Sequence, residues 1–245
     1  KKAKEPSGLP GRQQETPAGE KAPFALDMFS GENAPVAYAL AWCGWHVEPI
    51  DWLLDARHDL SKPEFQSEVA AKVRSCDAAV WAVDCSTLSR AREVAIPGHH
   101  ASPKPLRSES HVRGLPSLNG HDAARVEQAN SFIDFTFVQI AQMVADGKAA
   151  VVESPARSHL WGFQQMKDMR KKPQWRRTEY DACCWGGARR KKQALESNVP
   201  EIHELACTCH HTHSSSEWTP ARTADGKWHY PSTGEAEYTA DLAFA

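Results

Sequence analysis

The stretch FALDMFSG, Phe24–Gly31, decides the fold class. Its first six residues are mostly apolar, which is typical of a buried strand, and Ser30-Gly31 is a turn signal. A helix is predicted directly after it, over Pro35–Cys43, because proline is favoured in a first helical turn and Gly44 follows as a stop. A strand, a glycine turn and a helix in this order predict the first βα unit of a parallel sheet.

The same alternation continues along the chain. The further predicted elements are strands over Trp45–Asp51, Asp77–Val83, Lys148–Val152, Thr178–Cys184 and Lys191–Glu196, and helices over Lys62–Ser75 and His121–Asp146. We therefore expect a three-layer α/β fold with a mostly parallel sheet, right-handed crossovers and a C-terminal antiparallel hairpin.

The chain has 245 residues, of which 41% are hydrophobic, and a formal net charge of −2. This length suits one α/β domain with appendages, and the near-neutral charge argues against a protein that coats nucleic acid indiscriminately. We expect a flexible N-terminal segment over 1–23, where there is almost nothing to bury, and the α/β domain over 24–198. An extension over 199–245 that contains Cys and His is expected to pack on the same domain.

The seven cysteines form no regular framework, which favours a reducing intracellular compartment, nuclear or cytoplasmic. The apolar stretches, such as Ala149–Val152, are too short to cross a bilayer, so no membrane span is expected. The chain starts at Lys1-Lys2 without a signal pattern, and N-terminal targeting is therefore not visible in it.

Ligands of an open parallel sheet collect at the carboxyl ends of its strands. The first such end carries Asp27 and Phe29-Ser30-Gly31, where a glycine allows backbone to approach a ligand and the next helix offers its N-terminus. A tight turn without a ligand is the alternative. Asp51 and Asp59, near the end of the next strand, are candidates to accept hydrogen bonds from a ribose hydroxyl or an adenine amine, although exposed acids are common there.

Two reactive side chains follow the next two strands. Cys85 can be a nucleophile where nearby cations favour its thiolate, and Arg90 and Arg92 follow it; a small buried thiol is the alternative. Glu153 closes an apolar strand, where desolvation raises the pKa of a carboxyl group and suits it to proton donation. The alternative for Glu153 is a helix-capping or first-turn acid near Pro155.

Four motifs therefore follow one another along the chain. They are Phe29-Ser30-Gly31, Asp84-Cys85, Glu153-Ser154-Pro155 and Gly187-Ala188-Arg189-Arg190-Lys191. In kind and order they resemble the cofactor turn, nucleophile loop, glutamate strand end and basic strand of the cytosine-C5 DNA methyltransferases. The resemblance covers roughly 24–198 and is closest to a divergent branch, uncharacterised or retroelement-associated, with a Cys-Ser/Thr-x-x-Ser-Arg-Ala-Arg motif.

The resemblance implies a methyltransferase-type Rossmann fold with S-adenosylmethionine as cofactor. It implies that Cys85 adds to C6 of a cytosine flipped out of its stack, while a protonated Glu153 hydrogen-bonds N3. The activated C5 then takes the methyl group, and a base removes the C5 proton. Arg189 matches the basic strand that steadies the base and its phosphate.

The alternative is a catalytically inactive module that serves as a binding or structural subunit of a larger protein assembly. Asp84 favours it, because a carboxylate beside Cys85 raises the thiol pKa. The short segment between Lys192 and the tail also favours it, since the family's recognition domain normally stands there. The presence of Cys85, Glu153 and Arg189 favours the enzyme.

A segment near the C-terminus is dense in zinc ligands. The candidate ligands are His203, Cys207, Cys209, His211 and His213. Zinc takes four such donors in a tetrahedron, but Cys-x-Cys is tighter than the usual ligand spacing. A polar surface turn is the alternative to a zinc site.

The stretch Lys167–Lys192 holds ten Lys or Arg against three acids. Aromatic residues lie within and just before it: Trp161, Phe163, Trp175, Tyr180 and Trp185. Phosphate contacts combined with stacking aromatics predict a surface for single-stranded nucleic acid, DNA or RNA. A solvated basic face over core aromatics is the alternative.

Overall fold

The computed structural model describes residues 21–94, 103–214, 218–223, 228–229, 231 and 238–245. The strands are β1 (Phe24–Met28), β2 (His46–Ile50), β3 (Ala78–Trp81), β4 (Ala149–Pro155), β5 (Arg176–Asp181), β6 (Lys192–Ser197), β7 (Ala221–Arg222) and β8 (Trp228–His229). The helices are α1 (Pro35–Trp42), α2 (Pro63–Ser75), α3 (Gly120–Ala145), α4 (Gln164–Met169) and α5 (Ala240–Ala243). Most of the predicted flexible segment 1–23 lies outside the described residues.

Six strands form one mixed sheet in the order β2-β1-β3-β4-β6-β5, and β7 pairs with β8 in a separate ribbon. β1 pairs in parallel with β2 and β3, and β3 pairs in parallel with β4. β6 runs antiparallel to both of its neighbours, β4 and β5. The predicted α/β class, the mostly parallel sheet and the C-terminal antiparallel hairpin are therefore confirmed.

The two faces of the sheet carry different clusters because successive strand residues point to opposite sides. Val152 of β4 belongs to the main core, which includes Val69 of α2 and Ile140 of α3. Val151 instead packs with Tyr180 in a smaller cluster on the other face. Glu153, which is in step with Val151, lies on the face of this smaller cluster.

Helix α1 covers the same face as Glu153. The Ala37 N–H at the start of α1 donates to Oδ2 of Asp27, 3.1 Å away, and Asp27 alternates with core residues Leu26 and Met28 along β1. Short elements of the C-terminal extension complete this face, since Leu242 of α5 packs against the smaller cluster. Of the described parts of the extension, Ile202, Leu205, Cys207 and Leu242 thus contact this face of the sheet.

The long helix α3 ends where Gly147 takes a φ of 71°, which is a left-handed conformation that glycine adopts at low cost. In the part of the chain that the structure describes, no helix has the length and apolar character needed to cross a membrane.

Candidate functional site

The chain turns sharply where β1 ends. Phe29 and Gly31 have φ angles of 60° and 73°, so this turn places a side-chain-bearing residue in a strained left-handed conformation. The Gly31 N–H donates to Oδ2 of Asp51 at 2.9 Å, and the Phe29 N–H donates to the Ile50 carbonyl at 2.8 Å. The turn is therefore fastened to the end of β2 by an acid that the sequence singled out.

A small cavity of about 50 Å³ lies between this turn and the β4–β6–β5 edge of the sheet. Its lining residues are Phe29, Ser30, Gly31, Ala82, Glu153, Tyr180, Ala182, Lys191, Gln193, Tyr238, Thr239 and Leu242. The structure thus brings the predicted cofactor turn and the predicted acid Glu153 to one cavity. Cys85 is absent from this lining in the described part of the chain.

Glu153 is buried at the cavity wall, with 9% of its surface exposed. Burial raises its pKa from 4.5 to about 7, and the positive charge of Lys191 opposes this rise. Among the described residues, no group hydrogen-bonds to its Oε1. A carboxyl group in this state exchanges a proton near neutral pH, as a general acid requires.

Asp27 resembles Glu153 in its electrostatics. Burial raises its pKa to about 7; the hydrogen bond from the Ala37 N–H lowers it, and the charge of Asp51 raises it further. Within the described ranges, buried polar atoms in and beside the cavity without a hydrogen-bond partner are Asp27 Oδ1, Ser30 Oγ, Glu153 Oε1, Gln193 Oε1 and Tyr238 OH. Buried polar atoms are normally satisfied, so this concentration indicates a site that binds a polar ligand.

The C-terminal segment (Tyr238–Ala245) closes one side of the cavity. Tyr238 and Thr239 both line it, and the Thr239 hydroxyl donates to the Trp185 carbonyl. Phe244 packs edge-on against Tyr38 of α1, with ring centroids 5.9 Å apart. The local sequence is sufficient to indicate that Thr239 caps a helix. No local pattern could place Tyr238 beside Glu153.

Cys85 lies in a turn after β3, where its carbonyl accepts from the N–H groups of Leu88 and Ser89 at 2.9 and 2.8 Å. Burial raises the pKa of its thiol to about 11; Glu153 and, less strongly, Asp84 raise it further, while Lys191 opposes them. The Cys85 thiol is therefore protonated at neutral pH.

Asp84 is held by its own loop. Its carboxylate accepts from the Ser86 N–H and the Ser86 hydroxyl, both at 2.8 Å. The two arginines that follow in sequence have other partners: Arg90 pairs with Glu109 at 2.6 Å, and Arg92 donates to the Lys104 carbonyl at 3.0 Å.

A buried arginine, which the sequence analysis did not select, anchors the Cys85 loop. Arg107 donates to the Thr87 carbonyl at 3.1 Å and to the Thr87 hydroxyl at 2.9 Å. It also donates to the Val112 carbonyl at 2.6 Å and to Asn130 at 2.8 Å. Burial lowers its pKa to about 10. The described part of the connection between β3 and α3 is thus tied to the Cys85 turn.

A second, larger depression of about 620 Å³ lies beyond the ends of β3 and β4. Its lining residues are Arg90, Glu109, Val112, Ala156, Arg157, Ser158, His159, Trp161, Gly162, Lys167, Arg170 and Arg177. Its charged lining residues include five Lys or Arg and one acid, so we name it the basic groove. The His159 N–H donates to the Leu88 carbonyl at 3.0 Å, which joins the groove to the Cys85 turn.

The stretch Lys167–Lys192 is less open than its composition suggests. Trp161, Phe163, Trp175 and Tyr180 are buried and belong to the clusters on the two faces of the sheet. They therefore do not offer surfaces on which nucleic-acid bases could stack. They are core aromatics beneath a basic face, which was the alternative interpretation. Arg189 lies 5.9 Å from the ring centroid of Trp218.

Asp59 does not share the role of Asp51. Its Oδ1 accepts from the Ser61 N–H at 2.9 Å, just before α2, and Asp59 is absent from the described lining of the cavity. Asp51 contacts the Phe29-Ser30-Gly31 turn through the hydrogen bond that it accepts from the Gly31 N–H.

Four side chains near the hairpin could hold a metal ion: Cys183, Cys209, His211 and His213, named here the Cys/His cluster. Their ligand atoms all lie within 4.8 Å of one another.

The cluster contains three of the five predicted ligands and adds Cys183, which sequence spacing did not suggest. The other two predicted ligands have different neighbours. His203 Nδ1 lies 2.7 Å from the Thr178 hydroxyl, and the Cys207 thiol hydrogen-bonds with Cys184.

Comparison with protein-family models gave no match, and comparison with curated proteins gave none either.

Proposed function

We propose that this protein is an S-adenosylmethionine-dependent cytosine-C5 methyltransferase acting on nucleic acid, with a methyltransferase-type Rossmann fold. One observation carries the proposal. Glu153, whose pKa is about 7 and whose Oε1 has no partner among the described residues, lines the same cavity as the Phe29-Ser30-Gly31 turn. The motif order resembles the cytosine-C5 methyltransferases, and this cavity joins two of those motifs.

The chemistry of the residues at the β1 and β2 ends suits the cofactor. The carboxylates of Asp27 and Asp51 at the β1 and β2 ends suit its cationic and hydroxyl groups, and the Ser30 hydroxyl is a buried group without a partner in the described chain. When bound, S-adenosylmethionine supplies a methyl group on a sulfonium. A pocket for a ligand of this size measures roughly 300–1,000 Å³. The cavity is smaller, so Tyr238 and Leu242 have to move outward to admit it.

The chain's own side chains can perform the remaining steps. The Cys85 thiol gives its proton to solvent water, and its sulfur bonds to C6 as the C5–C6 double bond opens and protonated Glu153 donates to N3 of the base. Because the negative charge of Glu153 raises the pKa of Cys85, protonation of Glu153 favours the thiolate. Lys191 acts in the same direction, since it lowers the pKa of the thiol. After methyl transfer to C5, loss of the C5 proton to a base lets the sulfur–C6 bond break.

The basic groove suits the phosphate backbone of the substrate. Arg90 follows the Cys85 turn, and Arg157 follows the end of β4 that carries Glu153. Lys167, on helix α4, also lines the groove. Lys and Arg side chains of this kind bind phosphates without reading sequence.

A catalytically inactive binding module is the second candidate, and two observations favour it. The thiol pKa of about 11 keeps Cys85 protonated at rest. The C-terminal segment also occupies part of the cavity through Tyr238 and Leu242. This second function predicts binding partners without methyl transfer.

A trapping experiment separates the two. An oligonucleotide with 5-fluorocytosine blocks the final proton removal and retains the sulfur–C6 bond. With S-adenosylmethionine present, we expect a covalent adduct that disappears in Cys85→Ser and persists in Cys43→Ser, because Cys43 is an exposed thiol at the C-terminal end of α1 and not in the turn after β3. Absence of an adduct on single-stranded DNA, duplex DNA and RNA, with cofactor binding demonstrated, contradicts the methyltransferase proposal and leaves the binding module.

A further inference from the structure

The Cys/His cluster joins two segments that are distant in the sequence. Cys183 lies in the 3-10 turn Ala182–Trp185 that follows β5, and the other three members come from 209–213. Sγ of Cys209 lies 3.1 Å from Nδ1 of His211 and 3.2 Å from Nε2 of His213. Cys183 and Cys209 are in hydrogen-bond contact through their thiols, and neither forms a disulfide.

Backbone interactions hold Cys209 in place independently of any metal. The segment that carries it forms a parallel bridge to β5, in which Cys207 pairs with Tyr180. The Asp181 N–H donates to the Cys207 carbonyl at 2.9 Å, and the Cys209 N–H donates to Oδ2 of Asp181, also at 2.9 Å. The fully buried Asp181 therefore holds the segment at Cys209, which precedes His211 and His213 in the sequence.

The geometry points to a structural zinc site with Cys183, Cys209, His211 and His213 as its four ligands. Bond lengths of about 2.3 Å to sulfur and 2.0 Å to nitrogen in a tetrahedron place neighbouring donors roughly 3.3–3.8 Å apart. The observed donors, all within 4.8 Å, need only small side-chain rotations to reach those distances. Two thiolates and two imidazoles select zinc over the hard cations calcium and magnesium, and they neutralise its charge.

The zinc site stabilises one wall of the cavity. Ala182, next to Cys183, lines the cavity, and the Trp185 carbonyl at the end of the same turn accepts from the Thr239 hydroxyl. The turn also approaches α5 closely: a Cβ added at Gly186 would lie 2.6 Å from Oδ2 of Asp241. Zinc therefore ties 209–213 to the turn that lines the cavity and contacts the C-terminal segment, whatever reaction the cavity supports.

The test is metal analysis of the full chain purified without added zinc, followed by replacement with Co²⁺. We expect about one zinc per chain, and cobalt spectra with tetrahedral d–d bands and thiolate charge-transfer bands. His211→Ala should weaken zinc binding by at least about tenfold. His210→Ala is the matched control, because His210 is an exposed neighbour outside the cluster. Hydrogen exchange should rise in 182–187, 206–213 and 238–245 when a chelator removes the metal.

Less than about half an equivalent of zinc in protein that also fails to bind Co²⁺ overturns the site. So does a Cys183–Cys209 disulfide that persists in protein freshly purified under reducing conditions, or an octahedral cobalt spectrum. Equal loss of metal in His210→Ala and His211→Ala overturns the ligand set. If His211→Ala does not fold, the wild-type cobalt spectrum and the chelator-dependent hydrogen exchange decide the matter.

Discussion

Two buried glutamates on neighbouring strands have opposite surroundings. Glu196 of β6 pairs with Val152 of β4, one residue before Glu153, so the two carboxyl groups lie on opposite faces of the sheet. Glu196 is fully buried and accepts from Arg170, from Arg177 at 3.2 Å and from Trp175 Nε1 at 3.0 Å. Glu153 has an oxygen without any partner in the described structure, and its pKa is about 7.

This difference distinguishes a carboxyl group that is buried in a structural role from one that is buried in a functional site. A buried carboxylate surrounded by cations and hydrogen-bond donors stabilises its surroundings only as long as all partners remain. A buried carboxyl group without partners destabilises the fold when it ionises, and such groups are concentrated at ligand-binding and catalytic sites. The Glu196 network thus orders the β5–β6 hairpin, and Glu153 marks the site that the hairpin supports.

The largest effect is expected from Glu196→Ala. It leaves the Arg170 and Arg177 charges without their shared partner, and loss of one member of a buried ion pair costs about 3–5 kcal/mol. Denaturant unfolding measures this change in the free energy of unfolding. Glu179→Ala is the control, because Glu179 is an exposed partner of the same Arg177 and its loss should cost less than about 1 kcal/mol. Equal effects would refute the distinction.

Glu153→Gln should stabilise the protein at neutral pH and abolish methyl transfer. The wild-type carboxyl has a pKa raised from 4.5 to about 7, so wild-type stability falls as pH rises through that window. The variant should match the wild type below pH 4.5 and exceed it by about 3 kcal/mol above pH 7. Asp27 titrates in both proteins and cancels in the difference. A pH-independent difference between the two unfolding curves would contradict the assignment.

Tyr238→Phe should stabilise the protein by about 1 kcal/mol, because it removes a buried hydroxyl that has no partner in the described chain. Thermal unfolding of this variant can be compared with that of Tyr38→Phe, whose ring is 45% exposed and whose change should be close to zero. Destabilisation by Tyr238→Phe would show that its hydroxyl is bonded and that this side of the cavity is a finished structural contact.

Two arginines show the same contrast between a structural and a functional role as the two glutamates. The effect expected from replacing the functional one is smaller. Arg177 is committed to Glu196 and lies 4.8 Å from the ring centroid of Trp161, whereas Arg157 is an exposed lining residue of the basic groove. Arg157→Ala should weaken nucleic-acid binding without changing sequence preference and lower the salt slope by about 1. Lys171→Ala, outside the groove and paired with Asp168, should leave the slope unchanged. Equal slopes for both variants would remove the groove from the binding surface.

The sequence predicted what local patterns encode. Apolar strands and amphipathic helices gave the β1–α1–β2 order and the C-terminal hairpin, and strand-end positions gave the Phe29 turn and Glu153. Contacts between distant segments were not readable. Cys183 lies in the connection between β5 and β6, so strand β6 separates it in the sequence from the other three ligands. Tyr238 reaches the cavity only because α5 folds back onto α1. The concentration of Cys and His in this segment could not exclude His203 as a zinc ligand. The side chain of His203 contacts Thr178 on β5, and a contact between such distant residues is not visible in the sequence.

The most direct test of the central claim is titration calorimetry of the full chain with S-adenosylmethionine. We predict saturable binding at about one site per chain. Asp51→Ala should weaken it, because the Asp51 carboxylate fastens Gly31 at 2.9 Å, and Asp59→Ala should not, because that carboxylate bonds Ser61 instead. Absence of saturable binding to folded wild-type protein, or equal weakening by both substitutions, would contradict the claim that the Glu153 cavity is a methyl-donor site.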